Sequence, residues 1–332
     1  VKKLSYVLAL LGLLLGTLLI AWYDVGRVAA GAFSVGWGGF ALIIFWQLLV
    51  FLVLGLAWDV LTQRGPNRVA WVFIWGRMVR DSAANCLPFS QLGGFVFGAR
   101  AVTLLGITGT VATASTIVDV TAEFLAQLAF TAIGLAILLV RSPDSSLATP
   151  LELGLALAVA AAVGFIILQR GAAPLFAKIG GRIAARRLEG AQDRVDALQA
   201  AMTEIYRRPL RLALGWALHL VGWIMTGVAG WIAYRLLGVP LDLEAALAIE
   251  ALLSALAAIA FLVPVNAGVQ EAGYAGLGAI FGVPPELSLS VSLIRRARDV
   301  VIGVPVLLLW QWGEFRHMRG VSAAKPQPGA GE

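Results

Sequence analysis

The chain has 332 residues, 60% hydrophobic and only 13% charged, with a mean hydropathy of +0.87 and a net charge of +6. Ordinary soluble domains carry about 45–50% apolar and about 25% charged residues, so a soluble globular protein is excluded and a polytopic membrane protein indicated. The cations sit in gaps between apolar segments with no nucleic-acid motif beside them, and the single Cys86 with two distant histidines, His219 and His317, leaves disulfide and zinc chemistry without a basis.

Val1-Lys2-Lys3 precedes an apolar stretch at 4–23, longer than the signal-peptide core of about 7–15 residues and near the ~20 that a spanning helix needs. It is read as a retained first span. A short connection from Asp24 to Gly38 leads to a second span at 39–58, and Arg64-Gly-Pro66-Asn-Arg68 makes a polar turn. Residues 69–105 are read as a re-entrant hairpin. Its first arm ends in Arg77, Arg80 and Asp81; Asn85-Cys-Leu-Pro88 breaks it, because proline disfavours a helical residue before it. Gly93-Gly94, Gly98 and Arg100 follow, leaving 95–105 as a short half-helix.

One long helix is expected over 109–140, with Asp119 and Glu123 four apart on one face. After Arg141-Ser-Pro143-Asp comes a span at 151–168. The segment 170–208 holds eight cations, from Arg170 to Arg208, against Glu189, Asp193, Asp196 and Glu204. The positive-inside rule makes it cytoplasmic. Within it, residues 191–206 form an amphipathic helix with apolar Val195, Leu198 and Met202, expected to lie on the anionic inner leaflet. Spans at 210–237 and 287–312 flank a second hairpin, helical at 245–263, broken by Pro264-Val-Asn-Ala-Gly268, and helical again at 270–281. The tail, 316–332, with its Lys-Pro-Gln-Pro-Gly run, is expected to be disordered.

The expected fold is an all-α polytopic membrane protein of about six transmembrane helices and two re-entrant broken hairpins. Residues 1–315 make a single transmembrane domain, with both termini on the cytoplasmic side of a bacterial inner membrane. One offset separates Pro88 from Pro264, Gly106 from Gly282, Asp119 from Arg295 and Glu123 from Asp299. The halves 1–140 and 150–315 therefore read as an inverted-topology repeat whose broken tips meet near mid-membrane, a transporter architecture.

Candidate functional residues cluster at the breaks. Asn266, Gln270 and Glu271 open a half-helix at membrane depth, where a charge costs about 2.5 kcal/mol or more and marks a functional candidate; the alternative is a carboxylate that caps its helix. The first hairpin offers Asn85, Gln91, Gly93, Gly94 and Arg100. Its glycines permit close approach of a ligand or of a neighbouring helix, and Arg100 wants a partner among Glu271, Asp119 and Glu123. Arg295, Arg296 and Asp299 supply either an anion-binding wall or arginines that reach the outer interface, with Arg295 and Asp299 as a local i,i+4 pair. Asp119 and Glu123 are expected to pair with arginines rather than act as an acid–base couple. No metal or cofactor is expected.

Asn85-Cys-Leu-Pro88-Phe-Ser-Gln-Leu-Gly-Gly94, Ala99-Arg100, Pro264-x-x-x-Gly268-x-x-Glu271-x-Gly273 and Arg295-Arg296 resemble the lysylphosphatidylglycerol synthase transmembrane-region, or flippase-like, family. Thr116-Ile-Val-Asp119-Val-Thr-Ala-Glu123 and Ser292-Leu-Ile-Arg-Arg-Ala-Arg-Asp299 look most like its branch encoded in hopanoid-biosynthesis clusters, the HpnL-type proteins. The resemblance implies a membrane domain that moves a lipid between leaflets. Gly94 stands where the common first motif carries an acid, so the acidic role carries over only at Glu271. Relatives that make the aminoacylated lipid carry a separate soluble transferase domain, and no stretch of that size stands here. The expectation is a transporter of an anionic or polar-headgroup lipid, hopanoid-related by the resemblance, with membrane lipids and lipid-biosynthesis enzymes as partners and no nucleic acid. The alternatives are a lipid-modifying transferase, with Asp119 and Glu123 as base, and a non-catalytic scaffold.

Overall fold

The computed structural model describes residues 25–62, 70–87, 90–141, 191–260 and 268–323, with residues 263 and 266 and short pieces between 149 and 164. The span predicted at 4–23, most of that at 151–168, the basic stretch 170–190, the breaks at Pro88 and Pro264, the side chain of Gln91 and the tail beyond Ala323 lie outside the described residues.

Every described element is a helix: α1 (Val25–Ser34), α2 (Gly36–Leu61), α3 (Trp71–Cys86), α4 (Ser90–Leu104), α5 (Gly109–Arg141), α6 (Ala191–Tyr206), α7 (Pro209–Leu236), α8 (Leu243–Ile259), α9 (Val269–Ile280) and α10 (Pro285–Ala323). Three of them, α2, α5 and α7, are long and apolar enough to cross a membrane. At about 1.5 Å per residue each exceeds the ~30 Å hydrocarbon core. The chain is a multi-pass membrane protein.

α2 and α7 pack antiparallel, with Leu54 against Gly222 and Leu61 against Gly215. α5 and α8 also pack antiparallel; a Cβ at Gly134 would stand 2.5 Å from that of Ala251, so glycine there is what lets the two backbones close. Asp242 caps α8 by accepting from the Ala245 amide at 2.8 Å, and that bond holds its carboxyl below the usual carboxylate range.

The two hairpins enter from opposite faces. Both open ends of the first, Phe73 and Val102, pack on Trp58 near the C-terminus of α2. The second opens at the opposite end, where Leu241, Ala245 and Val283 cluster with Tyr234 near the C-terminus of α7. The repeat is legible in the backbone too. After α4 the amide of Ile107 bonds to Val102 and that of Gly106 to Thr103; after α9 Val283 bonds to Gly278 and Gly282 to Ala279. Gly106 and Gly282 take φ values of +91° and +74° in these matched helix ends, the left-handed closure that glycine makes without strain.

α10 passes both tips. Ser292 bonds to Gln270 and Glu271 at the second tip, and Asp299 and Gly303 meet Cys86 at the first. Eleven residues from Ser292 to Gly303 make about 16 Å of helix, so both tips seat within the first half of one element.

Four local expectations change. A helix, α1, replaces the predicted connection at 24–38, because Val28 and Ala275 pack together with Leu289 of α10. α4 begins at Ser90 rather than 95, because Gly94 does not break it: a Cβ there would stand 2.6 Å from the Arg80 carbonyl, and glycine lets α4 lie directly on α3. α6 does not turn its apolar face to lipid. Leu198, Met202 and Ile205 pack on Ala114, Val118 and Ala122 of α5, and a protein groove demands the same periodicity as a leaflet. α10 continues to Ala323, past the predicted start of the tail at 316, with Arg316 and Arg319 stacked over Trp312 and Phe315 one turn back.

Candidate functional site

Two buried clusters of charge lie where the hairpins meet the long helices that follow them. Asp119 is ten residues into α5 and Arg295 ten residues into α10, about 15 Å from either helix start, half the hydrocarbon thickness.

In the first cluster the cations are on the hairpin. Arg80 on α3 donates through Nη1 to Asp119 Oδ2 at 2.7 Å and through Nη2 to Glu123. Arg77, one turn earlier, donates to Glu123 Oε1 at 2.6 Å and to Asp81 Oδ2 at 3.0 Å. His219 of α7 places Nε2 at 2.9 Å from Asp119 Oδ1, and both side chains are 0% exposed. Phe95 of α4 lies 4.4 Å from the Arg80 guanidinium, and Trp223 donates its indole N–H to the Glu123 carbonyl.

The second cluster exchanges the signs. Here the hairpin carries carboxylates and the long helix carries guanidinium groups. Glu250 on α8 accepts from Tyr274 Oη at 2.5 Å and from Arg295 Nη1 at 2.7 Å. Glu271, at the start of α9, accepts from the Gly268 amide at 2.8 Å, from Ser292 Oγ at 3.2 Å and from Arg296 Nε at 2.6 Å. Glu271 therefore both caps its helix and anchors Arg296. A small cavity of about 20 Å³, lined by Glu250, Tyr274, Arg295 and Arg298, opens beside this group. That is room for about one water.

Of the residues singled out in the sequence, the structure groups Asp119 with Glu123, and Gln270 and Glu271 with Arg296; Arg295 stands beside them on Glu250. It does not bring Arg100 to any of them. Arg100 is half exposed near the hairpin's open end and pairs with Glu314 at 2.5 Å, because it stands ten residues into α4, about 15 Å along the helix from the tip. Arg295 does not pair with Asp299. It turns to Glu250, while Asp299 takes Arg298 at 2.6 Å, since a carboxylate on a packed neighbouring helix outcompetes the less favourable i,i+4 geometry. Gly94 serves helix packing, and Asn85 and Asn266 are half-buried at the two tips, Asn266 with φ +49°.

Six participants were not among the sequence candidates: Arg77, Arg80, Asp81, His219, Glu250 and Tyr274. Glu250 had a signal available, being the lone charge deep inside the otherwise apolar α8. Asp119 and Glu123 are both engaged by arginines, and a carboxylate so held is a poor general base.

What this arrangement does follows from the surroundings. A charge bared to hydrocarbon costs about 2.5 kcal/mol or more, and separating one partner of a buried pair costs about 3–5 kcal/mol. Parting a hairpin from its long helix would therefore require water or a polar group in place of the lost partner.

In comparisons with known proteins, a family model described as the lysylphosphatidylglycerol synthase TM region matches residues 9–306. No curated protein and no solved structure matches the chain.

Proposed function

The chain belongs to the lysylphosphatidylglycerol synthase transmembrane-region family, and from that premise we propose that it moves a polar-headgroup lipid between the leaflets of a bacterial inner membrane, with both termini cytoplasmic. Membership points to a membrane function concerned with lipid. The observation that supports the finer reading is the pair of helical hairpins opening at opposite ends of the bundle, each tied to the long helix after it by buried ion pairs. A headgroup entering beside one hairpin supplies hydrogen bonds to the guanidinium groups and carboxylates it displaces, while the apolar chains stay in the bilayer. Closing that hairpin and opening the other delivers the headgroup to the opposite face, as alternating access in inverted repeats requires. Asn85, Asn266, Gln270, Arg295 and Arg296 line the route between the tips, and Glu271 holds Arg296 when no headgroup is present. A substrate of the hopanoid-related class fits the likeness to HpnL-type proteins.

The test is reconstitution in liposomes carrying fluorescent lipids with anionic, zwitterionic or glycosyl headgroups, followed by headgroup accessibility to a membrane-impermeant quencher. At least one class is expected to cross at a protein-dependent rate that falls tenfold or more in Glu271→Gln. No transfer for any class, or an unchanged rate in the variant, overturns the proposal. The appearance of a new lipid mass in the same vesicles, given a cell extract, identifies a transferase instead.

A further inference from the structure

Among the described residues the first cluster does not balance its charge. Asp81, Asp119 and Glu123 face Arg77 and Arg80, three carboxylates against two guanidinium groups, whereas Glu250, Glu271 and Asp299 face Arg295, Arg296 and Arg298 one for one. The sixth member of the first cluster is His219, and its charge decides whether the group holds one negative charge or none. Asp119 Oδ1 accepts only, so the contact at 2.9 Å places the ring proton on Nε2. That leaves Nδ1 as a basic lone pair, fully buried and with no hydrogen-bond partner among the described residues.

The groups around His219 are of one kind on the side that touches it. α5 presents Asp119 and Glu123, and α3 presents Arg77, Arg80 and Asp81 behind them. α2 packs there through Leu54 and Leu61 on the glycines either side of His219, with its own carboxylate, Asp59, on the stripe of Gly55 that meets Ile74 of α3. α6 brings Glu204 and Arg208 no nearer than the start of α7, and the α8 and α10 charges, Glu250, Arg295 and Arg298, group around Gly230, eleven residues along α7, about 16 Å away.

We infer that His219 and Asp119 form a proton-binding site, in which one proton taken from water bonds to Nδ1 and the imidazolium completes the charge balance of the hairpin latch. The inference rests on the transport reading above and names its coupling ion. Both side chains are fully buried, so the proton enters or leaves when α3 moves off α5. Proton occupancy and the position of the first hairpin are then linked, and each biases the other by the same free energy. A proton bound favours the latched hairpin, because it removes the uncompensated charge; a proton lost favours opening toward water.

The protein in lipid nanodiscs, labelled with 15N-histidine, reads the site directly. Two imidazoles are present, and His317→Gln removes the other. His219 Nδ1 is expected to gain a proton reversibly on acidification, read from its 15N shift, and to give it up more readily in Asp119→Asn and in Glu123→Gln, which leaves the His219–Asp119 contact in place. A ring locked in one protonation state wherever the nanodiscs are stable, or one indifferent to both substitutions, overturns the site. Proton uptake is measured without any lipid assay, so a titrating His219 in a chain that moves no lipid refutes the transport reading alone, and lipid movement with a silent His219 refutes the proton site alone.

Discussion

Glu250→Leu tests whether the second cluster is a latch or ordinary packing. Glu250 is 3% exposed and accepts two charge-assisted bonds, from Arg295 at 2.7 Å and from Tyr274 at 2.5 Å. Its loss leaves Arg295 with Tyr274 at 3.1 Å and a side chain 27% exposed. Breaking a buried pair costs about 3–5 kcal/mol, and the partial exposure of Arg295 puts Glu250→Leu near the lower end, about 3 kcal/mol or roughly a hundredfold in the folding equilibrium. Arg295→Met strands the more deeply buried carboxylate and falls nearer about 5 kcal/mol. The double variant, with neither charge left behind, is expected within about 1 kcal/mol of the parent. Unfolding by dodecyl sulfate in mixed micelles, followed by tryptophan fluorescence, gives the double-mutant cycle. Single variants that each lose less than about 1 kcal/mol, or a double variant as unstable as the two losses added, refute the assignment of this pair as a buried latch.

Gly134→Leu is expected to lose about 1–3 kcal/mol by forcing α5 off α8, whereas Gly276→Ala, with open space beside it, leaves stability unchanged or raises it; melting curves in detergent compare them. Arg100→Ala removes an exposed pair with Glu314 and changes stability by less than about 1 kcal/mol, a value that salt reduces further. Asp242→Ala loses the α8 cap, about 1 kcal/mol at neutral pH. The folded Asp242 carboxyl titrates below its unfolded value, so its contribution is present above the unfolded pKa and is lost as pH falls through the folded one. The melting difference between parent and variant therefore shrinks on acidification, and a difference that persists in strong acid refutes the cap.

The helices were legible because apolar length is a local property of the sequence, and the shared offset of Gly106 and Gly282 exposed the repeat because one turn chemistry recurs. Glu271 was legible for a similar reason: an acid beside a break in an apolar run has few local explanations. The pairing was not. Whether Arg80 or Arg100 reaches Asp119 depends on which end of a hairpin faces the membrane centre, and that is set by packing between elements, not by spacing within one. His219 was hidden for the same reason, a lone polar residue on an apolar helix whose meaning comes only from the carboxylate across the interface. The amphipathic α6 shows the converse, since its stripe of Leu198, Met202 and Ile205 fits a groove on α5 as well as it fits a leaflet.

The seating of both tips on α10 has a consequence for biogenesis. Arg77 and Glu123 are 46 residues apart, but Cys86 and Asp299 are 213 apart. At about 5–20 residues per second of synthesis, the first hairpin meets its counter-charges within seconds and then waits about 9–35 s for the helix that covers its tip. Its arginines are neutralised early, while Cys86 goes without its α10 contacts until the last helix arrives. A chain stalled before α10 thus lacks the contacts that Asp299 and Gly303 make with Cys86 at the end of α3.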